Sequence, residues 1–254
     1  MRIKRSSAKN FVILTFFGLL TVLFVLNEAA GASITATEEW VAIYDGSASQ
    51  HDDPAKAVVD SSGNVYVTGT SGYDFATIKY DKAGTELWRV KFAPSSTSTD
   101  LAKSIAVDRD GNVYVAGDTS KSSGYQYALV KYNSAGVEQW AQTYDGGGTH
   151  ALYAMALNVD GGDGQTYIYI TGSSGTGSSS ATADYATIKY DTAGNELWVA
   201  RFDAAGATDV ARALIVDGSS NVYVTGEARY SSPTNQNRYA TVKYNSLGVD
   251  QTNF

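Results

Sequence analysis

Two histidines and several aspartates are the side chains of this sequence best suited to metal or acid–base chemistry. His51 and His150 both lie in polar connections between apolar runs. The aspartates beside them or in corresponding connections are Asp52, Asp53, Asp100 and Asp209. Imidazole and carboxylate groups hold a divalent cation when they converge on one point. A metal-dependent hydrolase or lyase with its site at the mouth of a central channel is therefore one hypothesis. Two solvated loop histidines are the alternative.

A second group of side chains suits binding rather than catalysis. Its members are Tyr73, Tyr125, Arg229, Tyr230 and Arg238. Aromatic rings and guanidinium groups are enriched where proteins contact other molecules. The leading hypothesis is therefore a binding or interaction module whose ligand is a protein or a polysaccharide.

Other chemistry finds less support in the sequence. Residues 108–112 (DRDGN) resemble the start of a calcium loop, but no bidentate carboxylate follows at calcium-loop spacing, so a β-turn fits better and calcium stays a minor alternative. No Gly-x-Ser-x-Gly elbow, phosphate loop or His-Glu-x-x-His motif is present. We therefore assign no catalytic residue, no metal ligand and no cofactor.

Composition excludes further classes. The 254 residues include no cysteine, which rules out disulfides, thiolate zinc sites and cysteine nucleophiles. The net charge of −7 argues against a nucleic-acid partner. With 18 tyrosines, 25 glycines and 3 prolines, the chain favours β structure.

The first 32 residues have the pattern of a secretory signal peptide. Arg2, Lys4, Arg5 and Lys9 precede an uncharged apolar run at 11–26, and small residues at 30–32 offer a cleavage site before Ser33. The run is shorter than the roughly 20 residues of a membrane span, although an uncleaved anchor is the alternative. We expect residues 33–254 to be the mature chain, with no membrane span, and to act outside the cell, at its surface or in the periplasm.

The elements that must position these side chains are repeated. A core at 63–69 (GNVYVTG) recurs at 111–117, 167–172 and 221–226. A Lys-Tyr pair ends an apolar run at Lys79, Lys131, Lys189 and Lys243, and all four tryptophans lie in a Glu-x-Trp-x-x-x-aromatic segment. Four strand-like runs about every 50 residues are typical of a β-propeller blade. In the second repeat they predict strands at about 102–107, 112–116, 127–132 and 139–144, called A to D below.

The lysines and tryptophans have structural interpretations. Each lysine stem can cover an aromatic ring while its ammonium meets a carboxylate such as that of Asp60. The tryptophans are expected on outer strands, between blades.

These motifs resemble the SBBP family, the seven-bladed β-propeller repeats of bacterial and archaeal proteins. The best matches are residues 60–69, 76–81 and 84–88, and the resemblance covers residues 38–251. It implies a propeller outside the cytoplasm and implies no reaction. This chain departs from the family in having four repeats rather than seven.

The strand count suggests how a ring closes. Residues 38–44 form a strand D with no A, B or C before it, and the fourth repeat has no strand D. The sequence therefore predicts an all-β propeller of four blades with four antiparallel strands each, closed by the N-terminal strand completing the last blade. A truncated piece of a larger propeller, a purely architectural module, and two chains pairing into a larger ring are the alternatives, so the chain is a monomer or a ring-completing dimer.

The two faces of the predicted propeller differ. The A–B turns begin with Asp60, Asp108, Asp160 and Asp217, and the C–D turns also repeat one pattern. The B–C loops, predicted at 71–74, 118–126, 173–184 and 227–238, differ in every repeat. Function is expected on this variable face, which also holds the D–A connections.

Overall fold

The computed structural model describes residues 38–46, 51–122, 124–147, 150–158, 164–175, 183–204, 206–229 and 237–250, with only the backbone at 154 and 156–158. The predicted leader at 1–32, Asp160 and Tyr230 lie outside these residues. Residues 40–254 form one compact unit, and Glu38 and Glu39 belong to a separate N-terminal unit, where they are without regular structure. No helix long and apolar enough to span a membrane occurs in the described residues.

Four antiparallel sheets follow one another along the chain, and the described residues contain no helix. Sheet 1 consists of β1 (Asp52–Val59), β2 (Val65–Ser71), β3 (Asp74–Tyr80) and β4 (Glu86–Phe92). Sheet 2 consists of β5 (Asp100–Val107), β6 (Val113–Lys121), β7 (Gly124–Tyr132) and β8 (Glu138–Tyr144). Sheet 3 consists of β9 (His150–Asn158), β10 (Tyr167–Gly175), β11 (Ala183–Asp191) and β12 (Glu196–Phe202). Sheet 4 has three strands, β13 (Val210–Val216), β14 (Val222–Arg229) and β15 (Asn237–Tyr244). The all-β prediction and the four strands of the second repeat are confirmed.

The repeated aspartates act as the predicted turn residues. Asp60 Oδ1 accepts hydrogen bonds from the backbone N–H groups of Ser62 and Asn64, both at 2.9 Å. Its Oδ2 accepts from the Asn64 amide and the Tyr66 hydroxyl. Asp108 accepts the four equivalent hydrogen bonds, from Asp110, Asn112 and Tyr114. The 108–112 segment is therefore an A–B turn, and the carboxylate of Asp108 is occupied by its own turn and strand.

The glycine that closes each strand B is required by the neighbouring strand A. Strand A carries a register shift in every sheet, in sheet 1 between Pro54 and Lys56. A Cβ on Gly69 would lie 2.3 Å from the Asp53 carbonyl oxygen, and the equivalent glycines of the other sheets are equally crowded. The repeated Tyr-Val-x-Gly core therefore records a bulge in the partner strand.

The core lies between successive sheets. Tyr66, Phe75 and Phe92 of sheet 1 pack on a set of buried apolar side chains of sheet 2, among them Val115 and Tyr132. Equivalent clusters join sheet 2 to sheet 3 and sheet 3 to sheet 4. Sheets 2 and 3 thus each bury one face on the sheet before and the other on the sheet after.

A lysine and a tryptophan lock each of these junctions. Trp88 Nε1 donates to the Ser134 carbonyl oxygen at 3.1 Å, and Lys79 Nζ donates to the same oxygen at 3.4 Å. The half-buried Trp88 ring lies against Gly136 of the same turn, where a Cβ would be 2.9 Å from Trp88 Cδ2. The same bonds recur from Trp140 and Lys131 to Thr192, and from Trp198 and Lys189 to Ser246.

This junction corrects one expectation and confirms another. Lys79 does lie over the Tyr66 ring, 4.9 Å from its centroid. The prediction of a carboxylate partner is wrong. Asp60 accepts four hydrogen bonds from its own turn and strand, and Lys79 Nζ donates instead to a carbonyl oxygen of the next sheet. Trp88, Trp140 and Trp198 lie on the edge strands β4, β8 and β12 and contact the next sheet, as predicted, whereas Trp40 lies in a segment with no assigned strand.

Sheet closure is not observed. Residues 40–46 are assigned no strand and pair with no strand of sheet 4 in the described structure. They lie instead on sheet 1, where Trp40 stacks near Tyr80 with ring centroids 6.0 Å apart.

Candidate functional site

Four of the predicted site residues occupy one equivalent position. Asp52, Asp100 and His150 open their strands A, and Asp209 directly precedes the fourth. Three of these side chains accept a backbone N–H from the preceding connection: Asp52 from Gly46 at 2.9 Å, His150 from Gly146 at 3.1 Å, and Asp209 from Ala204 at 2.7 Å. Asp100 accepts instead from Ser98 at 2.8 Å and from Thr119 at 2.5 Å. These residues therefore cap the corner between strands D and A, once in each sheet.

The direction of each pKa shift at these corners depends on how deeply the side chain is buried. Desolvation raises the pKa of Asp100 and of Asp209, although both accept hydrogen bonds. Desolvation lowers the pKa of His150, whose Nε2 accepts the Gly146 N–H and whose Nδ1 is buried without a hydrogen-bond partner. The Gly46 N–H lowers the pKa of Asp52.

The histidines do not form a metal centre with the predicted aspartates in the described residues. His51 is exposed, and its carbonyl accepts the Gly72 N–H at 2.9 Å, while Asp53 is exposed on β1. Three carboxylates that could share a cation do meet, with oxygens within 4.8 Å of one another: Asp184, Asp203 and Asp209.

All three of these carboxylates already have partners. Asp203 accepts the Gly206 N–H at 2.6 Å. Asp184 pairs with Arg201 at 3.1 Å. Asp209 accepts the N–H groups of Ala204 and Arg229 at 2.7 and 2.8 Å. Of the predicted site residues, only Asp209 belongs to this cluster.

The predicted arginines and the second tyrosine are spread over two sheets. Arg229 ends β14 and donates to the Asn237 side chain at 3.0 Å. Arg238 lies one residue into β15, opposite Ala228. Tyr125 is half-buried on β7, opposite Ser120. Structure therefore places Arg229 and Arg238 on one hairpin with Asp209 beside it, and Tyr125 on another.

Three of the four predicted B–C loops are wrong in their bounds. The 118–126 segment is mostly strand, because the β6–β7 ladder continues through the Thr119–Gln126 and Ser120–Tyr125 pairs. In the same way β10 runs to Gly175, and β14 to Arg229. Only the first loop is as short as predicted, with Gly72 and Tyr73 alone joining β2 to β3.

A polar cleft lies beside this short hairpin. It has a volume of about 420 Å³ and is lined by Tyr73, Asp74 and residues 96–99. Tyr73 is 61% exposed, and Ser96 and Thr97 are also exposed. The cleft therefore combines an aromatic ring, a carboxylate and a row of hydroxyl groups.

Backbone bonds fix the walls of the cleft. The Asp100 N–H donates to the Tyr73 carbonyl oxygen at 2.6 Å, which ties the hairpin to the β4–β5 connection. The Thr99 N–H donates to Ser120 Oγ at 2.7 Å. Lys91 Nζ lies 3.5 Å from Asp74 Oδ2 and 3.2 Å from the Ser71 carbonyl oxygen. Sequence reasoning found Tyr73 but missed Asp74 and residues 96–99, although the run of serine and threonine at 95–99 was a visible signal.

Comparison with solved structures finds likenesses of low similarity. An α-L-arabinofuranosidase from Clostridium thermocellum has 13% identity and a TM-score of 0.45, over 78% of this chain and 70% of that one. The extracellular domains 1–2 of Drosophila Semaphorin 1a have 11% identity and a TM-score of 0.43, over 80% of this chain and 43% of that one. No curated protein sequence matches the chain.

The family comparison is more specific. Residues 95–123 match SBBP, the beta-propeller repeat. The matched stretch includes β5 and β6, which hold the A–B turn at Asp108 and the core at 111–117. This chain therefore carries a β-propeller repeat of the SBBP family, as its sequence motifs predict.

Proposed function

We propose that this chain is a carbohydrate-binding module and that the cleft beside Tyr73 receives a neutral polysaccharide. One observation carries the proposal: an exposed tyrosine ring borders a cleft whose other walls are a carboxylate and serine and threonine residues. Its volume of about 420 Å³ falls within the range of about 300–1,000 Å³ that is usual for ligand sites.

The chemistry of the cleft suits a sugar. A pyranose ring presents apolar C–H faces and hydroxyl edges. The tyrosine ring can take the C–H face, because it offers a large and rigid apolar surface. The Asp74 carboxylate accepts hydrogen bonds from sugar hydroxyl groups, and the hydroxyls of Ser96 and Thr97 both donate and accept. The net charge of −7 disfavours anionic glycans, so a neutral polysaccharide fits best.

The cleft is also held in shape before any ligand binds. The Asp100–Tyr73 and Thr99–Ser120 hydrogen bonds fix both walls to neighbouring strands. A site that is ordered beforehand loses less conformational entropy on binding.

Affinity gel electrophoresis in xylan, barley β-glucan and dextran tests the proposal. We expect at least one of these polysaccharides to retard the protein, and Tyr73→Ala to weaken that binding about ten- to thirtyfold, as truncation of an aromatic anchor does. Tyr73→Phe keeps the ring and is expected to bind like the parent protein.

Tyr125→Ala is the matched control, since Tyr125 lies on the next hairpin and does not line the cleft. Unchanged binding in Tyr73→Ala would contradict the proposal. So would a parent protein that ignores all three polysaccharides and binds a protein ligand instead.

The predicted leader extends this proposal to location. A leader removed before Ser33 would make the module secreted or surface-held, where polysaccharides are accessible. Intact-mass measurement of the exported protein identifies the cleavage point.

We propose, further, that the four sheets are blades of one propeller and that the N-terminal segment supplies the missing outer strand of the last blade. Support comes from the repeat itself: Trp40 and Tyr44 have the spacing of Trp88 and Phe92 on β4. An open sheet edge is prone to pair with another strand, so a partner for β15 is physically favoured.

A further inference from the structure

The N-terminal segment, residues 40–46, makes half of an inter-sheet junction. A Cβ on Gly84 would lie 2.7 Å from Trp40 Cδ2, just as a Cβ on Gly136 would lie 2.9 Å from Trp88 Cδ2 at the next junction. The Tyr44 hydroxyl donates to Ser71 Oγ at 3.2 Å. Strands β4, β8 and β12 each pair with the strand C of their own sheet, whereas the N-terminal segment pairs with no described strand.

The corner that follows the segment has the geometry of an internal corner. Gly46 N–H donates to Asp52 as Gly146 N–H donates to His150. The N-terminal segment therefore sits on sheet 1 as β8 sits on sheet 3, in the position of a strand D from a preceding sheet.

Sheet 4 shows the complementary defect. Apart from a bridge between Tyr244 and Asp250, no described residue pairs with the outer edge of β15. Tyr239 is 96% exposed. The equivalent rings of the first three sheets are at most 1% exposed: Phe75, Tyr127 and Tyr185.

Each of those buried rings is covered by an aromatic side chain of its own strand D. The covering rings are Phe92, Tyr144 and Phe202, with centroids 5.3–5.7 Å away. Tyr44 is the aromatic residue at this position of the N-terminal segment. In the described residues, sheet 4 therefore lacks a strand D with a covering aromatic ring, and the N-terminal segment carries such a ring in Tyr44.

The register of the missing pairing follows from the other sheets. Lys79 pairs with Trp88, Lys131 with Trp140 and Lys189 with Trp198. The same register would pair Lys243 with Trp40, Thr241 with Ala42 and Tyr239 with Tyr44.

We infer that the strand comes from a second copy of this chain, so that two copies associate head to tail. The three junctions in the described chain repeat the same contacts, so successive sheets turn by similar amounts. After four sheets that turn has not brought sheet 4 against the N-terminal segment. An interface between two different surfaces that does not close within one chain is free to take up another copy. The inferred assembly is a closed ring of eight sheets from two copies.

The surface of sheet 1 has room for the arriving sheet. A cavity of about 270 Å³ lies between the N-terminal segment and sheet 1, lined by Trp40, Tyr44, Val67, Ile78 and others. At each internal junction the corresponding space holds the aromatic rings of the preceding sheet. Tyr223 and Tyr239 of the second copy are the rings that would enter it.

This inference rests on the proposed addition of residues 40–46 to β15. Engineered cysteine pairs test separately whether the strand adds and whether it comes from a second copy. The chain has no native cysteine. Cross-strand neighbours have Cα atoms about 4.5–5.5 Å apart, within disulfide reach. We expect a mixture of Ala42→Cys chains and Thr241→Cys chains to form a covalent heterodimer on oxidation. Ala42→Cys mixed with Thr225→Cys is the control, because Thr225 lies one strand further in and is expected not to cross-link.

The Ala42→Cys, Thr241→Cys double variant reports the alternative. A disulfide inside one chain, at monomer mass, would overturn the second copy while keeping the strand addition. Absence of any cross-link, in a protein that light scattering shows to be monomeric, would overturn both.

Tyr239→Glu provides an independent test. Tyr239 makes almost no packing contact within its own chain, so the substitution leaves the monomer folded, which circular dichroism verifies. We expect a dimer for the parent protein by sedimentation and at least about 100-fold weaker dimerisation for Tyr239→Glu, as for a charge introduced at a buried interface ring. Tyr73→Glu, also an exposed tyrosine but outside this face, is expected to dimerise normally. Equal dimerisation of both variants would refute the inference.

Discussion

Asp118 gives the sharpest prediction about pH and stability. This residue lies on β6, is 5% exposed, and its Oδ1 accepts the Leu152 N–H of sheet 3 at 2.7 Å. Burial raises the pKa of Asp118 from its ordinary value of 3.8 to about 7, against the opposing effects of that hydrogen bond and of the Lys103 charge. Between about pH 4 and pH 7 the folded protein therefore holds a proton on Asp118 that the unfolded chain has released.

The sign of the effect on stability follows from this difference. Below about pH 4 both states are protonated, and burial of Asp118 carries no ionisation cost. Between pH 4 and 7 the folded state binds more protons, so the free energy of unfolding decreases as the pH rises. Each tenfold change in proton affinity is worth about 1.4 kcal/mol, so the loss amounts to about 4 kcal/mol above pH 7.

Asp118→Asn isolates this loss. The amide oxygen still accepts the Leu152 N–H, and the side chain no longer ionises. We expect the variant to match the parent protein near pH 4 and to be more stable by up to about 4 kcal/mol at pH 8. Urea unfolding at four pH values between 4 and 8.5, at one protein concentration, measures the difference.

Asp118→Ala is the control for the hydrogen bond itself. It leaves the Leu152 N–H without an acceptor, at a cost of about 1–3 kcal/mol that is already present at pH 4. A difference between Asp118→Asn and the parent protein that stays constant from pH 4 to 8.5 would refute the reasoning.

Two further predictions concern the junction and the corner. Gly136→Ala places a Cβ 2.9 Å from the Trp88 ring at a φ of +80°, and is expected to cost about 2–4 kcal/mol by thermal unfolding. Gly164→Ala, at a φ of +76° with nothing within 4 Å, is expected to cost only about 1–2 kcal/mol, and equal losses would argue against the tryptophan contact. Because burial lowers the pKa of His150 below 6.5, this residue contributes a loss of stability as the pH falls through and below 6.5, a dependence opposite in sign to that of Asp118. His150→Gln should flatten this dependence between pH 5 and 7.5, and an unchanged slope in urea midpoints would contradict the assignment.

The sheets could be predicted from the sequence because strand formation here is a local and repeated signal. The second repeat predicts β5 to β8 within a few residues. Hairpin length could not be predicted in the same way. Residues 118–126 contain Asp, Ser, Lys and Gly, which favour a loop, yet the ladder continues because Asp118 meets the Leu152 N–H of the neighbouring sheet. That partner is 34 residues away, and no local pattern records it.

The candidate metal ligands show a second limit. Asp100 and His150 are chemically suited to metal binding, but their position at the start of strand A makes them acceptors for the preceding connection or its neighbours. Alignment of the four repeats could have found this role, since Asp52 and Asp209 occupy equivalent places. A residue type that recurs at one corner of every sheet is better explained by the corner than by a single site.

The candidate cleft follows from the same logic, because it forms where one repeat departs from the others. In sheet 3 the Asp209 N–H bonds to the carbonyl of Ala183, a strand residue that pairs with Gly175 of β10. In sheet 1 the equivalent bond, from Asp100, goes to Tyr73 in the turn itself. The short hairpin therefore ends at the level of this bond and leaves the ring of Tyr73 uncovered beside the β4–β5 connection. The repeated contacts build the scaffold, and the one shortened hairpin opens a polar cleft in it.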